Sequence, residues 1–168
     1  MRRLVCLLGT VLLAVMLTAC SGEPSASTQA PKATESPEPI ATPQMETITI
    51  FTIDTSSMSL LPTQVKKKSD DDSPSYITDL VLENLEDDSI GVSEVSQEDD
   101  KAIIVFKADT KPIKGCDAEL EPLILDCFAN SILDNVEGVH SVVFRSDIGA
   151  YKSANGLEFG EDEEYASK

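Results

Sequence analysis

The sequence contains no tryptophan, and aromatic residues make up only 5% of the chain, which leaves few flat side chains on which nucleic-acid bases could stack. It has a single histidine, His140, so most histidine-based metal centres and imidazole acid–base sites are excluded. Basic residues are scarce: 13 Lys and Arg stand against 30 Asp and Glu, a formal net charge of −17. That charge repels nucleic-acid phosphates and anionic lipid headgroups alike. No Gly-x-Gly-x-x-Gly or Gly-Lys-Ser/Thr phosphate loop occurs, and no Gly-x-Ser-x-Gly nucleophile turn. With 168 residues there is room for one domain of about 100–150, not two.

What is present first is an address. Met1-Arg2-Arg3 is cationic, and Leu4 to Leu17 carries no charge. This run falls short of the ~20 residues a membrane-spanning helix needs, and fits the apolar part of a secretory signal peptide. It closes with Leu17-Thr18-Ala19-Cys20, which resembles the bacterial lipobox. The resemblance implies a leader over residues 1–19, cleavage before Cys20, and diacylglycerol on the Cys20 thiol. Acyl chains then hold the protein at the extracytoplasmic face of the cell membrane, since each buried CH₂ contributes ~0.8 kcal/mol. Residues 20–45 follow as a tether. Pro24, Pro31, Pro37, Pro39 and Pro43 lie among Ser, Thr and Ala, with too little apolar surface to offset chain entropy.

Residues 46–160 read as an α+β domain. Glu46 to Asp54 alternates β-branched and polar residues and predicts a strand, and Leu60 to Lys68 a weaker edge strand marked by Pro62. Lys66-Lys67-Lys68 is expected as a solvated, edge-protecting run. Ser73-Pro74 is a helix start, and Ile77, Leu80, Val81 and Leu85 give that helix one apolar stripe to Glu86. Ser89–Ser96 and Lys101–Ala108 predict a hairpin whose second strand, apolar on both faces, is central. A second helix is expected over Asp117–Asn135, with Leu120, Leu123, Ile124, Cys127, Phe128 and Ser131 at 3-4 spacing. Val139–Ser146 and a short strand near Ala150-Tyr151-Lys152 complete the order β(β)αββαββ. The expectation is a single mixed sheet with two helices packed on one face. Glu161–Lys168 is expected as a frayed acidic tail.

No residue of this pattern is assigned a catalytic, cofactor-binding or metal role. His140 lies in an expected strand with no nucleophile set against it by any motif. Asp70-Asp71-Asp72 lacks calcium-loop spacing, and among 30 acids a pair of carboxylates carries no information. Cys116 and Cys127 are expected unbridged. Helical rise separates them by about 15 Å, whereas a disulfide needs Cα atoms within ~7 Å.

Ile48-Thr49-Ile50-Phe51, Lys101 to Ala108, Leu120 to Leu133 and Val142 to Tyr151 together resemble the pattern of the GerMN domain of sporulation and spore-germination lipoproteins. The resemblance implies a lipid-anchored, tethered domain and no catalytic residue. The expected function is therefore a non-catalytic protein-interaction or assembly module of the cell envelope, bound to the membrane through Cys20 and to an envelope protein partner, without nucleic acid. The alternative is a small-molecule or ion-binding surface lipoprotein. The strand near Tyr151, carrying only Lys152 as a guard, is the expected contact edge.

Overall fold

The structure, a computed structural model, describes residues 46–166. The leader and tether expected from the sequence, with Cys20, lie outside the described residues. Eight elements follow in the order β1 (Thr47–Asp54), β2 (Ser59–Lys66), α1 (Pro74–Leu85), β3 (Val92–Glu98), β4 (Lys101–Phe106), α2 (Leu120–Asn135), β5 (Ser141–Ser146) and β6 (Gly149–Ala150). The fold is α+β, in the expected element order.

Strands β3, β4, β5 and β6 form a mixed four-stranded sheet in that order, with β4 and β5 parallel across the α2 crossover. Period-2 alternation sends Ala102, Ile104 and Phe106 of β4, and Val142 and Phe144 of β5, to the face on which the helices pack. Phe106 is the hub. Its ring lies 5.6 Å from that of Phe128 on α2, 5.7 Å from Phe144 and 6.2 Å from Tyr151.

The β1–β2 hairpin does not join this sheet, in contrast to the single sheet expected from the sequence. The reason is at its edge. The Phe51 N–H donates to Ser131 Oγ at 2.8 Å, and the Thr49 carbonyl accepts from Asn135 Nδ2 at 2.7 Å. Two α2 side chains thus occupy backbone groups that a neighbouring strand would otherwise take. The helix is enclosed as a result: Leu125, Ala129 and Ile132 are buried along with Ile124, Cys127, Phe128 and Ser131. A single stripe, as read from the sequence, describes only part of it.

Both helices start where local chemistry directs. Ser73 caps α1, its Oγ accepting from the Tyr76 N–H, and Pro74 fills the first position. Helix α2 begins at Leu120, three residues later than expected. The Asp117 carbonyl accepts from the Leu120 and Glu121 N–H groups. Pro122 then falls in the first turn, where its missing N–H costs little.

Three local expectations are corrected. Lys67 is buried rather than solvated, its ammonium 2.5 Å from Asp72 and 3.6 Å from Glu46. Lys68 pairs with Glu83 of α1, so the lysine run pins the end of β2 to the first helix. The segment 161–166 is docked, not frayed. The Tyr165 N–H donates to the Val142 carbonyl at 2.7 Å, Glu164 bridges Val143, and Lys101–Glu164 and Arg145–Asp162 ion pairs flank it. Nor is Tyr151 at an open edge. It is fully buried, and Lys152 is bridged by Glu158 as the chain folds back on itself. The outer edge of β5 is therefore occupied by β6 and by Glu164.

Candidate functional site

Two of the places where polar groups gather among the described residues bear on function. The first lies inside α2, where two carboxylates are buried. Glu121, 1% exposed, accepts from the Tyr151 hydroxyl at 2.8 Å through Oε1. Its Oε2 accepts from Ser153 Oγ at 3.1 Å and from Asn155 Nδ2 at 2.8 Å. Asp126, 5% exposed, accepts from the Tyr165 hydroxyl at 2.9 Å. Glu121 also sits in the first turn of α2, where the helix dipole favours negative charge. Burial pushes both tyrosine hydroxyls well above their usual range, with the partner carboxylate adding to the shift. Both phenols stay protonated and act as donors.

This arrangement places a carboxylate, a serine and tyrosines together, yet each contact runs between α2 and the chain's own 151–165 segment. It is a clamp. The sequence gives little warning of it. Glu121 and Asp126 look like helix-surface acids, and their partners lie about 30 to 40 residues away. The usable signal was that Tyr151 and Tyr165 are two of only three tyrosines in the chain, each able to bury a ring while keeping a polar tip bonded.

The thiols are unbridged: Cys116 and Cys127 are both free, as the helical spacing predicted. Burial, followed by the charge of Glu121, pushes the Cys116 thiol up to about 11, and burial pushes Cys127 up to about 12. Neither is a thiolate at neutral pH, so neither is poised as a nucleophile. His140 is exposed on the segment entering β5, with its backbone N–H given to the Asp100 carbonyl. Among the described residues no group of three or more His, Cys, Asp or Glu is arranged to hold a metal ion. No described helix is long and apolar enough to cross a membrane.

The second place is a cleft of about 290 Å³ where three distant segments meet: the tip of the β1–β2 hairpin, the C-terminal end of α1, and the first turn of α2. Ile53, Leu85, Ile90, Leu120 and Ile124 supply its apolar surface. Thr52, Thr55, Asn84, Glu86 and Asp87 supply its polar rim. Each rim group is held by local structure. Asp54 accepts from the Ser56 N–H and the Ser57 hydroxyl, shaping the hairpin turn that carries Thr55. Glu86 caps α1 in the left-handed conformation, at φ 53° and ψ 30°. Asn84 donates its amide to the Leu80 carbonyl at 2.8 Å, which leaves Oδ1 as an acceptor. Asp87 accepts from the Ser89 hydroxyl and N–H and from Lys111 Nζ at 2.9 Å. The Ser89 hydroxyl, then the Lys111 ammonium, hold its carboxyl below the usual carboxylate range.

Comparison of the chain with protein-family models, with curated proteins and with solved structures gives no match.

Proposed function

We propose that this chain is a lipoprotein anchored through Cys20 at the extracytoplasmic face of the cell membrane. Its folded domain acts as a non-catalytic protein-interaction and assembly module of the envelope, in a sporulation or germination role of the kind the GerMN resemblance implies. The uncharged Leu4–Leu17 run ending in Leu-Thr-Ala-Cys supports the location. The observation that carries the non-catalytic reading is the clamp: the buried carboxylates of α2 are engaged by the chain's own hydroxyl and amide donors. A general base needs a lone pair within reach of a substrate proton, and Glu121 is 1% exposed, with both oxygens facing the chain's own donors. Protonated thiols add to this support.

The cleft is the observation that favours the second reading, a small-molecule-binding lipoprotein. Its volume sits at or just below the lower end of the ~300–1,000 Å³ typical of ligand pockets, which suits a single side chain better than a cofactor.

Mass spectrometry of protein recovered from membranes tests the anchoring. The expected mature chain begins at acylated Cys20, and Cys20→Ser is released or left unprocessed. Recovery of full-length soluble chain from wild type and from Cys20→Ser alike would remove the anchor from the account.

A further inference from the structure

We propose that the cleft between the hairpin tip, the C-terminal end of α1 and the first turn of α2 receives a lysine or arginine side chain from an extended segment of a protein partner. This rests on the interaction-module reading and names the chemistry that such a partner brings.

Three properties select that occupant. The first is the floor. Ile53, Ile90, Leu120 and Ile124 offer an apolar surface against which the methylene stem of a long basic side chain packs. The second is the rim, whose lining residues offer acceptors and include no lysine or arginine, the adjoining Lys111 ammonium being spent on Asp87. Asn84 presents Oδ1 at the negative end of the α1 dipole, and the positive end of the α2 dipole is balanced by Glu121 in that helix's first turn. Asp87 is already matched by Lys111. Glu86 is exposed and has no ion-pair partner among the described residues, so it is the carboxylate left for an incoming cation. The third is the shoulder. Leu61 is 49% exposed and stands opposite Thr52 in the hairpin register, so its side chain lies on the same side of the hairpin as that rim residue. An apolar residue flanking the basic one has a surface there.

Charge favours the same occupant at longer range. A chain of net charge −17 draws cationic segments toward it and turns acidic ones away. The size of the cleft admits one side chain, so the partner is expected to present a basic residue between apolar ones rather than a polybasic run.

The test uses full-length protein in detergent micelles and reads backbone amide shifts during titration. The probe is the capped peptide Ala-Leu-Arg-Leu-Ala, with counterparts carrying Gln or Glu in place of Arg, and n-butylguanidinium as a free cation. The Arg peptide is expected to shift the amides of Thr55, Asn84, Leu85 and Ile90 saturably, with the Gln peptide weaker and the Glu peptide weakest. Glu86→Asn keeps a residue that tolerates the left-handed cap while removing the charge, and is expected to weaken the Arg peptide about threefold to fivefold. Equal affinity of the Arg and Glu peptides, or no saturable shift at those amides, overturns the proposal. Binding of n-butylguanidinium as tight as that of the Arg peptide also overturns it, and assigns the cleft to a small cation. If the cleft is silent while cross-linking in cells still captures a partner protein, the cleft assignment fails and the interaction-module reading survives.

Discussion

The Tyr165 hydroxyl donates to Asp126 Oδ1 at 2.9 Å, tying the end of the described chain to the middle of α2. The Tyr165 ring lies 4.9 Å from that of Phe144 and 5.5 Å from that of Phe159, so the contact fixes an aromatic ring as well as a hydrogen bond. Tyr151 makes the equivalent bond to Glu121 at the start of the same helix. Between them, these bonds make the C-terminal segment a structural part of the domain.

Tyr165→Phe is expected to cost roughly 1–3 kcal/mol, the range for losing a hydrogen bond to a charged group and leaving its partner short of a donor. Urea unfolding measures the loss. Amide exchange at Tyr165 and Glu164 should accelerate in the variant, because the segment loosens locally. A change below about 0.5 kcal/mol with unchanged exchange would mean that strand pairing alone holds the segment.

Phe128 is fully buried against Phe106, and Phe128→Ala is expected to cost roughly 3–5 kcal/mol through lost transfer energy and the cavity left behind. A loss below about 1 kcal/mol would mean that this ring does not anchor the core.

The thiols set an alkaline limit. Their folded pKa values are raised, so their contribution is fully present below the unfolded thiol value of ~8.5. It is lost as pH rises through about 11 for Cys116 and about 12 for Cys127. Native protein at neutral pH should label slowly at Cys116 and more slowly at Cys127, and denatured protein should label at both without reductant. A requirement for reductant would reveal a bridge and contradict the free thiols.

Asp87 acts in the opposite sense. Its folded pKa is depressed by Ser89 and Lys111, so its contribution is present above the unfolded value of ~3.9 and is lost as pH falls through the lower folded value. Asp87→Asn should be less stable than wild type at pH 7, and the two should converge as acid titrates the wild-type carboxyl. Equal stability at neutral pH would show that the Lys111 pair contributes nothing.

How much of this was legible depended on the range of the interactions. Ser73-Pro74 announced α1 because capping is chemistry between neighbours, and Lys101–Phe106 announced a central strand through an unbroken apolar run. The separate hairpin was not legible. Nothing near Ser131 or Asn135 says that their side chains meet the backbone of β1, 80 and 86 residues earlier in the chain. The acidic composition of residues 161–166 read as a loose end, because the partners Lys101, Arg145 and Asp126 are remote in sequence. The cleft was hidden for the same reason: its three walls are assembled only by folding. Its polar residues look, locally, like a turn and a helix exit.

The measurement that most directly tests the central claim is cross-linking in intact cells, followed by mass spectrometry, with wild type compared with Cys20→Ser. An anchored interaction module should give one discrete protein adduct in the membrane fraction, and Cys20→Ser should lose it while its domain remains folded. The account would be contradicted if wild type gave no discrete protein adduct, or if the unanchored variant captured the same partner to the same extent.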